Sequence, residues 1–420
     1  MNIMINKKIL IISYYWPPSG GSGVQRWLNF SNQLSAKGWN ITVFTALNPK
    51  YPLIDNTLSK SVNKSIKVVK IPIFEPTSFL KSNNSDNIKA DNIFSKILLW
   101  IRANLFFPDS RMFWIKKVSR KATDYIKKND INYLITTAPP FSTHLIGLNI
   151  KKNTDVKWIS DFRDPWSGFF QFKLLPLLTF QRKRHLKAEL QCLNFSDTVI
   201  TTSPSLTLKY SLINSNCHTV FNGFNSFIKT KDSDGFLLMY SGVMKSIQNP
   251  KNLWSVLEEI SLENKSFFKD LKVRLIGDFD NEIKDQIKGK LISSRVEFEK
   301  YLEKNKLDQE IAKAKLLLLS SVNLDSVNDV IPGKLFYYFS FKLPILAFSN
   351  IKSDVTDIIN KTNTGRVFDY SNKIDLKNHI LELYKNYKSG NDIFKPIGVN
   401  KYTYDILSDK IIKILNKTIN

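Results

Sequence analysis

Short apolar runs recur along the first half of the chain and alternate with longer segments of helical spacing. Runs typical of buried strands occupy residues 8–13, 41–46, 66–73, 132–138, 156–162 and 197–203. The segment 24–38, after the first run, places Trp27 and Leu34 on one helical face. Gly38 stands where the C-terminal cap of such a helix belongs. This alternation predicts a mostly parallel sheet covered by helices on both faces.

The same pattern starts again after a polar stretch at 226–235, which we interpret as a linker. Further strand-like runs lie at 236–242, 271–277, 295–301, 314–322 and 343–348. We therefore expect an α/β protein with two tandem Rossmann-like domains, one at 1–225 and one at 236–400. Because such sheets bind ligands at the carboxyl ends of their strands, the two domains are expected to face one interdomain cleft.

The formal net charge of +24 is the most unusual feature of the composition. A field of this sign favours polyanionic partners: nucleic acid, anionic lipid surfaces or substrates that carry phosphate. A compositional bias towards Lys, Asn and Ile explains the same excess without any partner. The lysines are scattered and accompany no known nucleic-acid-binding motif, so we expect no nucleic-acid partner.

Cysteine content and the length of the apolar runs indicate a cytoplasmic protein. Cys192 and Cys217 are the only cysteines and form no CxxC motif, which is typical of a reduced chain without disulfides or a thiolate metal site. The apolar run after Lys7 and Lys8 is short and lacks a cleavage site, so we interpret it as a first strand rather than a signal peptide. No uncharged apolar run reaches about 18 residues, so no membrane-spanning helix is expected.

Seven segments, in one order along the chain, resemble glycosyltransferases of the family-4 type, which have the GT-B fold. They are PPSGGSGVQRWLNFSNQLSAKGWNITVFT (17–45), FPDSRMFWIKK (107–117), TTAPPFSTHLIGL (136–148), ISDFRDPW (159–166), VFNGFN (220–225), YSGVMKSIQNPKNL (240–253) and IPGKLFYYFSFKLPILAF (331–348). The resemblance implies retaining transfer of a sugar from a nucleotide-diphosphate sugar, without a metal ion or other cofactor. It also implies that the C-terminal domain holds this donor, that the N-terminal domain holds a glycan or lipid-linked acceptor, and that a helix in 401–420 crosses back to the N-terminal domain.

The donor candidates in 331–348 lie at a predicted helix start. Gly333 allows a close approach of the backbone, and the free N–H groups of a helix start favour an anion. Lys334 adds a cation that would stabilise a departing diphosphate, although a solvated lysine at a plain helix start is the alternative. The resemblance aligns Asp329, as a candidate catalytic residue, with the first of two family carboxylates. It aligns Tyr337 with the second, where a phenol offers one O–H in place of two carboxylate oxygens.

Two further donor candidates lie in the loop YSGVMKSIQNPK. Gly242 allows close approach of a ligand, and Lys245 is either a second phosphate contact or a solvated loop residue. Asp278 and Asp280 have the spacing of a metal-binding DxD motif, but nothing around them supports it. We therefore interpret them as a solvated turn and predict no metal site.

The acceptor candidates lie in the N-terminal domain. Gly20, Gly21 and Gly23 do not fit the GxGxxG dinucleotide pattern, because Arg26 fills the last glycine position. The resemblance instead places this loop near the donor phosphates and the acceptor.

Three other residues of this domain carry candidate chemistry. Asp161 and Arg163 end a strand and either orient acceptor hydroxyls or form an internal salt bridge. His144 is either an acceptor contact and acid–base group or a histidine of the core.

Two segments of this domain, 94–108 and 173–187, combine apolar faces with cations and predict in-plane docking on an anionic membrane. The alternative is that both are ordinary packed helices. Together these patterns predict a cytoplasmic glycosyltransferase, peripheral on the inner face of the cell membrane, that assembles cell-surface polysaccharide. A sugar-nucleotide epimerase of the same fold and a degenerate, non-catalytic homologue remain the alternatives.

Overall fold

The computed structural model describes residues 7–76, 93–232, 234–324, 328–390 and 394–419, apart from the side chains of Ser22, Gln171 and Ile419. The chain divides into two compact units. The first comprises the residues up to Asn222 together with Tyr404 onwards, and the second comprises Gly223–Thr403. Each unit contains one sheet in which every pairing between strands is parallel.

The first unit contains a seven-stranded sheet in the order β3-β2-β1-β4-β5-β6-β7. Its strands are β1 (Lys8–Ile12), β2 (Asn40–Leu47), β3 (Lys67–Pro72), β4 (Tyr133–Ala138), β5 (Lys157–Phe162), β6 (Thr198–Thr201) and β7 (Cys217–Thr219). Its helices are α1 (Ser22–Ala36), α2 (Thr57–Lys60), α3 (Ile93–Leu105), α4 (Met112–Asn129), α5 (Ser142–Lys151), α6 (Phe170–Leu174), α7 (Thr179–Phe195) and α8 (Pro204–Ser211). The strand order reverses at β1, which pairs with β2 on one side and β4 on the other.

Both faces of this sheet are buried, as its apolar strands predict. Along β1, Leu10 and Ile12 pack into the core on one face, and Ile9 and Ile11 pack into the core on the other. The predicted helix at 24–38 is confirmed as α1, and Gly38 follows its end with a φ of 83°. The carboxyl end of β1 therefore emerges from a rigid layer directly into the glycine-rich loop.

The second unit contains a six-stranded sheet in the order β10-β9-β8-β11-β12-β13. Its strands are β8 (Phe236–Met244), β9 (Leu271–Phe279), β10 (Val296–Glu299), β11 (Leu316–Ser320), β12 (Ile345–Phe348) and β13 (Gly365–Phe368). Its helices are α9 (Lys251–Glu263), α10 (Lys265–Asp270), α11 (Asn281–Ile287), α12 (Lys304–Ile311), α13 (Gly333–Phe339), α14 (Asp354–Thr362) and α15 (Ile374–Ser389). Here the strand order reverses at β8, between β9 and β11.

The last helix, α16 (Tyr404–Ile419), is part of the first unit. Its residues Leu407, Ile411 and Leu415 lie in the core shared with α1 and β1. The hydroxyl of Tyr133 on β4 donates to the carbonyl of Leu415 at 3.1 Å. Both ends of the chain thus build one hydrophobic core.

The observed boundaries differ in detail from those predicted. The first unit ends at Asn222 rather than 225, and the second extends to Thr403 rather than 400. The stretch 226–235, predicted as a linker, hydrogen-bonds within the second unit: the amide of Ile228 donates to Ser340, and that of Lys231 to Ala312. The sequence of this stretch is polar and gives no local indication of these long-range backbone hydrogen bonds.

The segment 173–187, one of the two segments predicted to dock on a membrane, contains parts of two helices in the structure. α6 ends at Leu174, α7 begins at Thr179, and Pro176 lies between them. Proline disfavours helical backbone in the residue before it and lacks an N–H, which explains the break. In the part of the chain that the structure describes, no helix combines the length and the apolar character needed to cross a bilayer.

Candidate functional site

Two glycines face each other where β8 and β9 approach their carboxyl ends. Gly242 and Gly277 are paired across the two strands, with φ angles of 116° and 135°. A Cβ atom on Gly277 would overlap the carbonyl oxygen of Gly242, so only glycine fits there. The end of β8 is therefore bare backbone, and Val243 beside it is half exposed. The prediction included Gly242 but missed Gly277, whose signal was a glycine closing the apolar run LKVRLIG.

Lys334 lies in the first turn of α13 and directs its ammonium towards this backbone. A Cβ atom on Gly242 would come within 3.1 Å of the Lys334 Nζ. The Nζ is buried, lies 3.7 Å from the centroid of the Tyr240 ring, and has no hydrogen-bond acceptor among the described residues. Desolvation lowers the pKa of Lys334 to about 7. A desolvated cation without a counterion gains more than a solvated one from an arriving anion.

Gly333 begins α13 directly after Pro332, as the sequence predicts. Asp329 lies five residues before Lys334 and is half buried. The structure therefore brings Gly242, Gly333 and Lys334 together, with Asp329 on the segment that leads into the same helix.

Lys245 is engaged by the two carboxylates of the DxD-like pair. Its Nζ lies 3.4 Å from Asp278 and 3.4 Å from Asp280. Partial burial opposes ionisation of Asp280, but hydrogen bonds from Ser246 and the cation of Lys245 hold the pKa of its carboxyl below the usual range. The turn is an ion-paired structure. In the described ranges, no group of three or more His, Cys, Asp and Glu side chains is arranged to hold a metal ion.

Tyr337 belongs to a small polar cluster on α12 and α13. Its hydroxyl donates to the Asp308 carboxylate at 2.5 Å, and Lys304 lies 3.0 Å from the same carboxylate and over the Tyr337 ring. Burial, reinforced by the neighbouring Asp308, raises the pKa of Tyr337. Its single O–H is thus used within the domain, and a donor-binding role requires this hydrogen bond to be exchanged.

In the first unit, packing explains two of the three glycines of the loop after β1. A Cβ on Gly20 would lie 2.8 Å from the Leu53 side chain, and one on Gly23 would lie 3.1 Å from the Arg163 guanidinium. Gly21 precedes α1 with a φ of 85° and has open space around it. The loop is therefore held closely at both ends and exposed at Gly21.

Asp161 is a fully buried carboxylate rather than an exposed one. It accepts hydrogen bonds from the Arg26 guanidinium at 2.8 Å, the Trp27 indole at 2.6 Å and the Thr137 hydroxyl at 2.9 Å. Burial would raise the pKa of Asp161, but Arg26 and these hydrogen bonds hold it below the usual range. The sequence suggested an internal salt bridge as one reading, and the structure contains one, with Arg26 as the partner instead of Arg163.

Arg163 hydrogen-bonds to backbone carbonyl groups. Its guanidinium donates to the carbonyls of Ala138 at 3.1 Å and Gly23 at 2.6 Å, and also to that of Pro139. These bonds join the glycine-rich loop to the turn after β4. In this structure Arg163 therefore positions the glycine-rich loop by hydrogen-bonding to its backbone.

His144 lies in the core of the first unit. Its Nδ1 is 2.8 Å from the Thr136 hydroxyl, which also accepts a hydrogen bond from the Trp158 indole. The ring packs against Phe162, and burial lowers the pKa of His144 to about 3. The geometry is that of a neutral core histidine, one of the two readings that the sequence left open.

The comparisons agree with this geometry in the second unit. Residues 222–395 match the family model for glycosyl transferases group 1, a range that contains both glycines, Lys334 and Tyr337. A search of curated proteins finds no match.

Solved structures resemble the whole chain. A sucrose-phosphate synthase from Thermosynechococcus elongatus aligns at 14% identity and a TM-score of 0.68, covering 98% of this chain and 99% of its own. HepE from Anabaena, solved in complex with UDP-glucose, aligns at 12% identity and a TM-score of 0.64 over 98% and 99%. A glycosyltransferase from Rickettsia africae aligns at 14% identity and a TM-score of 0.62 over 99% of both chains. Identities this low show the GT-B fold alone. Together with the match of residues 222–395 to the model for glycosyl transferases group 1, the comparisons identify the chain as a glycosyltransferase.

Proposed function

We propose that this protein transfers a sugar from a nucleotide-diphosphate sugar to a glycan or lipid-linked acceptor, with retention of anomeric configuration and without a metal ion. We further propose that it works at the cytoplasmic face of the membrane in the assembly of cell-surface polysaccharide. The donor would bind in the second unit and the acceptor in the first. An anion held beside Gly242, Gly333 and Lys334 would be the diphosphate of the donor.

The observation that carries the proposal is the Lys334 ammonium. It is desolvated, has no acceptor among the described residues, and lies beside backbone that carries no side chain. A diphosphate leaving group develops negative charge as the glycosidic bond breaks, and a preorganised cation stabilises that charge. Purely structural lysines are normally solvated or paired, so an ammonium in this state is better explained as a group that binds an anion.

Metal-independent transfer is supported by the charges around the site. Lys334 supplies the positive charge that a divalent ion supplies in other phosphate chemistry. The carboxylates at DxD spacing directly after Gly277, Asp278 and Asp280, already pair with Lys245. EDTA should therefore leave transfer unchanged, and activity restored by manganese after EDTA would contradict this part of the proposal.

The decisive experiment measures thermal stabilisation of the full chain by a panel of UDP-, GDP- and ADP-sugars, with NAD as the control. UDP-glucose is a natural first member, because HepE was solved with it. Binding to the native state raises the melting temperature, by an amount that grows with the logarithm of ligand concentration over Kd. Conversion of the sugar nucleotide in the absence of an acceptor would favour the epimerase alternative. Stabilisation without any turnover would favour a degenerate homologue.

Lys334→Ala tests the site itself. Removing one charge-stabilising group should raise the transfer barrier by about 2 to 3 kcal/mol. Lys361→Ala is the matched control, because that lysine is on α14 of the same unit with its side chain 71% exposed. The Lys334 variant should fold at least as stably as the parent, since it loses a desolvated charge. Turnover within a few-fold of the parent would remove the phosphate role.

A further inference from the structure

The first two turns of α3 expose an apolar face. Ile93, Phe94 and Ile97 are 79%, 65% and 51% exposed, and Trp100 on the same side is 41% exposed. The exposed Lys96 flanks this face at helical spacing, whereas Arg102 lies on the opposite side of the helix. Single exposed apolar residues are ordinary, but a continuous helical face of large ones is not.

The last turn of α3 anchors this face to the segment between α6 and α7. Asn104 is buried, donates to the carbonyl of Pro176 at 2.9 Å, and accepts from the amide of Leu178 at 2.8 Å. Gln181 donates to the Asn104 carbonyl from the first turn of α7. The two elements therefore form one surface, on which further large apolar side chains are exposed: Leu105, Leu174, Leu178, Phe180 and Leu186.

The exposed charge of α3, α6 and α7 has a single sign, because the only carboxylate of these helices, Glu189 on α7, is buried. Residues 93–108 and 165–188 contain seven Lys and Arg side chains and no Asp or Glu. All seven are exposed: Lys96, Arg102, Lys173, Arg182, Lys183, Arg184 and Lys187. We call this set, together with the exposed apolar residues of α3, α6 and α7, the basic apolar surface.

We propose that the basic apolar surface docks in the plane of an anionic lipid bilayer. Exposed Phe, Ile, Leu and Trp side chains would enter the boundary between headgroups and acyl chains. The interleaved cations would lie at the level of the anionic headgroups, where each raises the partition coefficient by about fivefold.

Other occupants fit these charges less well. In a symmetric dimer through this surface, the same seven cations would face one another across the two-fold axis. Nucleic acid would pair with the cations but would leave the aliphatic side chains of α3 and α6 without a partner. A bilayer that carries anionic lipid satisfies both the cations and the apolar side chains.

This inference deepens the proposed function, because a protein docked in this way would meet a lipid-linked acceptor at the membrane. Vesicle binding itself needs neither donor nor turnover. The two proposals can therefore fail separately, and donor-induced thermal stabilisation is measured on the same samples to tell them apart.

The test is cosedimentation of the full chain with vesicles of phosphatidylcholine, with and without phosphatidylglycerol. We expect binding only to the anionic vesicles. It should weaken as salt rises, because the screening length falls to about 10 Å at 0.1 M. Binding to both vesicles alike, or to neither, would overturn the proposal.

Charge variants identify the surface. Lys183→Glu/Lys187→Glu reverses two exposed cations one helical turn apart on α7. Lys265→Glu/Lys269→Glu makes the same charge change at the same spacing on α10, in the second unit. The first variant should bind anionic vesicles at least about tenfold more weakly and the second within twofold of the parent. Equal losses of vesicle affinity in both variants would attribute binding to net charge and would contradict docking through the basic apolar surface.

Apolar variants test insertion. Phe94→Ser/Ile97→Ser should weaken vesicle binding by at least about tenfold, whereas Leu262→Ser, on an exposed position of α9, should not. In every variant, donor-induced stabilisation should stay at the parental level. A parental protein that dimerises in solution through the residues changed here would instead assign the surface to a second copy.

Discussion

The desolvated ammonium of Lys334, which has no acceptor within the described ranges, makes the stability of the donor-free protein depend on pH. In the folded chain desolvation lowers the pKa to about 7, whereas the ordinary value is 10.5. Between these values the unfolded chain binds one more proton, so the free energy of unfolding should rise with pH from about 7 to 10.5. Below pH 7 both states are protonated and this contribution is flat. Denaturant unfolding across this range, with Lys334→Met lacking the rise, checks the prediction.

Desolvation favours the neutral form of Lys334 in the folded chain, and a bound diphosphate should reverse this preference. It favours the charged form of Lys334, so donor binding is coupled to proton uptake and donor affinity should fall as pH rises above about 7. Titration calorimetry in two buffers of different ionisation enthalpy detects that proton. An affinity that is independent of pH, with no proton taken up, would mean that the ammonium does not meet the donor.

We expect the Tyr337 hydroxyl to stabilise the second unit rather than to bind the donor. Tyr337→Phe removes the hydrogen bond to Asp308, which should lower stability by about 1 kcal/mol, because that carboxylate is partly exposed and paired with Lys304. Tyr337→Glu should be worse, since it places a second carboxylate against Asp308. Donor affinity, measured by the same thermal shifts, should stay unchanged in the Phe variant. A Phe variant of parental stability and weaker donor binding would assign the hydroxyl to the ribose.

The role of a residue could be predicted where it follows from the local sequence pattern. It could not be predicted where it depends on a partner that is distant in sequence. Gly333 and Lys334 lie at a helix start that the sequence itself signals. The partner of Asp161 is Arg26, 135 residues earlier, whereas the sequence offered Arg163 two positions away. No local pattern reveals such a pairing, because it is created by the adjacency of β4, β5 and α1.

At the level of elements, the close approach of β8 and β9 depends on Gly277. Gly277→Ala would drive a Cβ into the Gly242 carbonyl and would strain a φ of 135°, so we expect a loss of at least about 3 kcal/mol and weaker donor binding. Gly289 also has a positive φ, of 80°, but the Cβ added by Gly289→Ala would have no atom within 4 Å. It should lose only about 1 to 2 kcal/mol and should bind the donor normally. Similar losses in both variants would show that backbone strain alone matters at Gly277.

The strands that were predicted and those that were missed differ in burial. β1, β4 and β11 are buried on both faces and appear as continuous apolar runs. β7 and β13 are short strands at the sheet edges with partly exposed residues, so CHT and GRVF have no apolar signature. The break between α6 and α7 has a different cause: apolar residues continue on both sides of Pro176, so the apolar pattern does not show where one helix ends.

At the scale of the whole molecule, the chain leaves the first unit at Asn222 and returns to it at Tyr404. α16 contributes to the core that contains Trp27 and Trp39, and Lys37 at the end of α1 pairs with Asp405 and Asp409. The first unit therefore folds from two stretches of the chain that are separated in sequence by the second unit. The second unit is continuous and has a core of its own.

This arrangement predicts that damage to α16 unfolds the first unit selectively. Ile411→Asp places a carboxylate in the core, where Ile411 is fully buried, and should destabilise that unit by more than about 4 kcal/mol. Ile406→Asp, on a 42% exposed position of the same helix, is the matched control and should be silent. Seven of the eight tryptophans lie in the first unit and Trp254 lies in the second, so tryptophan fluorescence reports mainly on the first. In the Ile411 variant the fluorescence transition should move to lower temperature, while a later calorimetric transition remains and still shifts upward with donor. A single transition that is lowered as a whole, with donor stabilisation lost, would show instead that the two units unfold as one cooperative body.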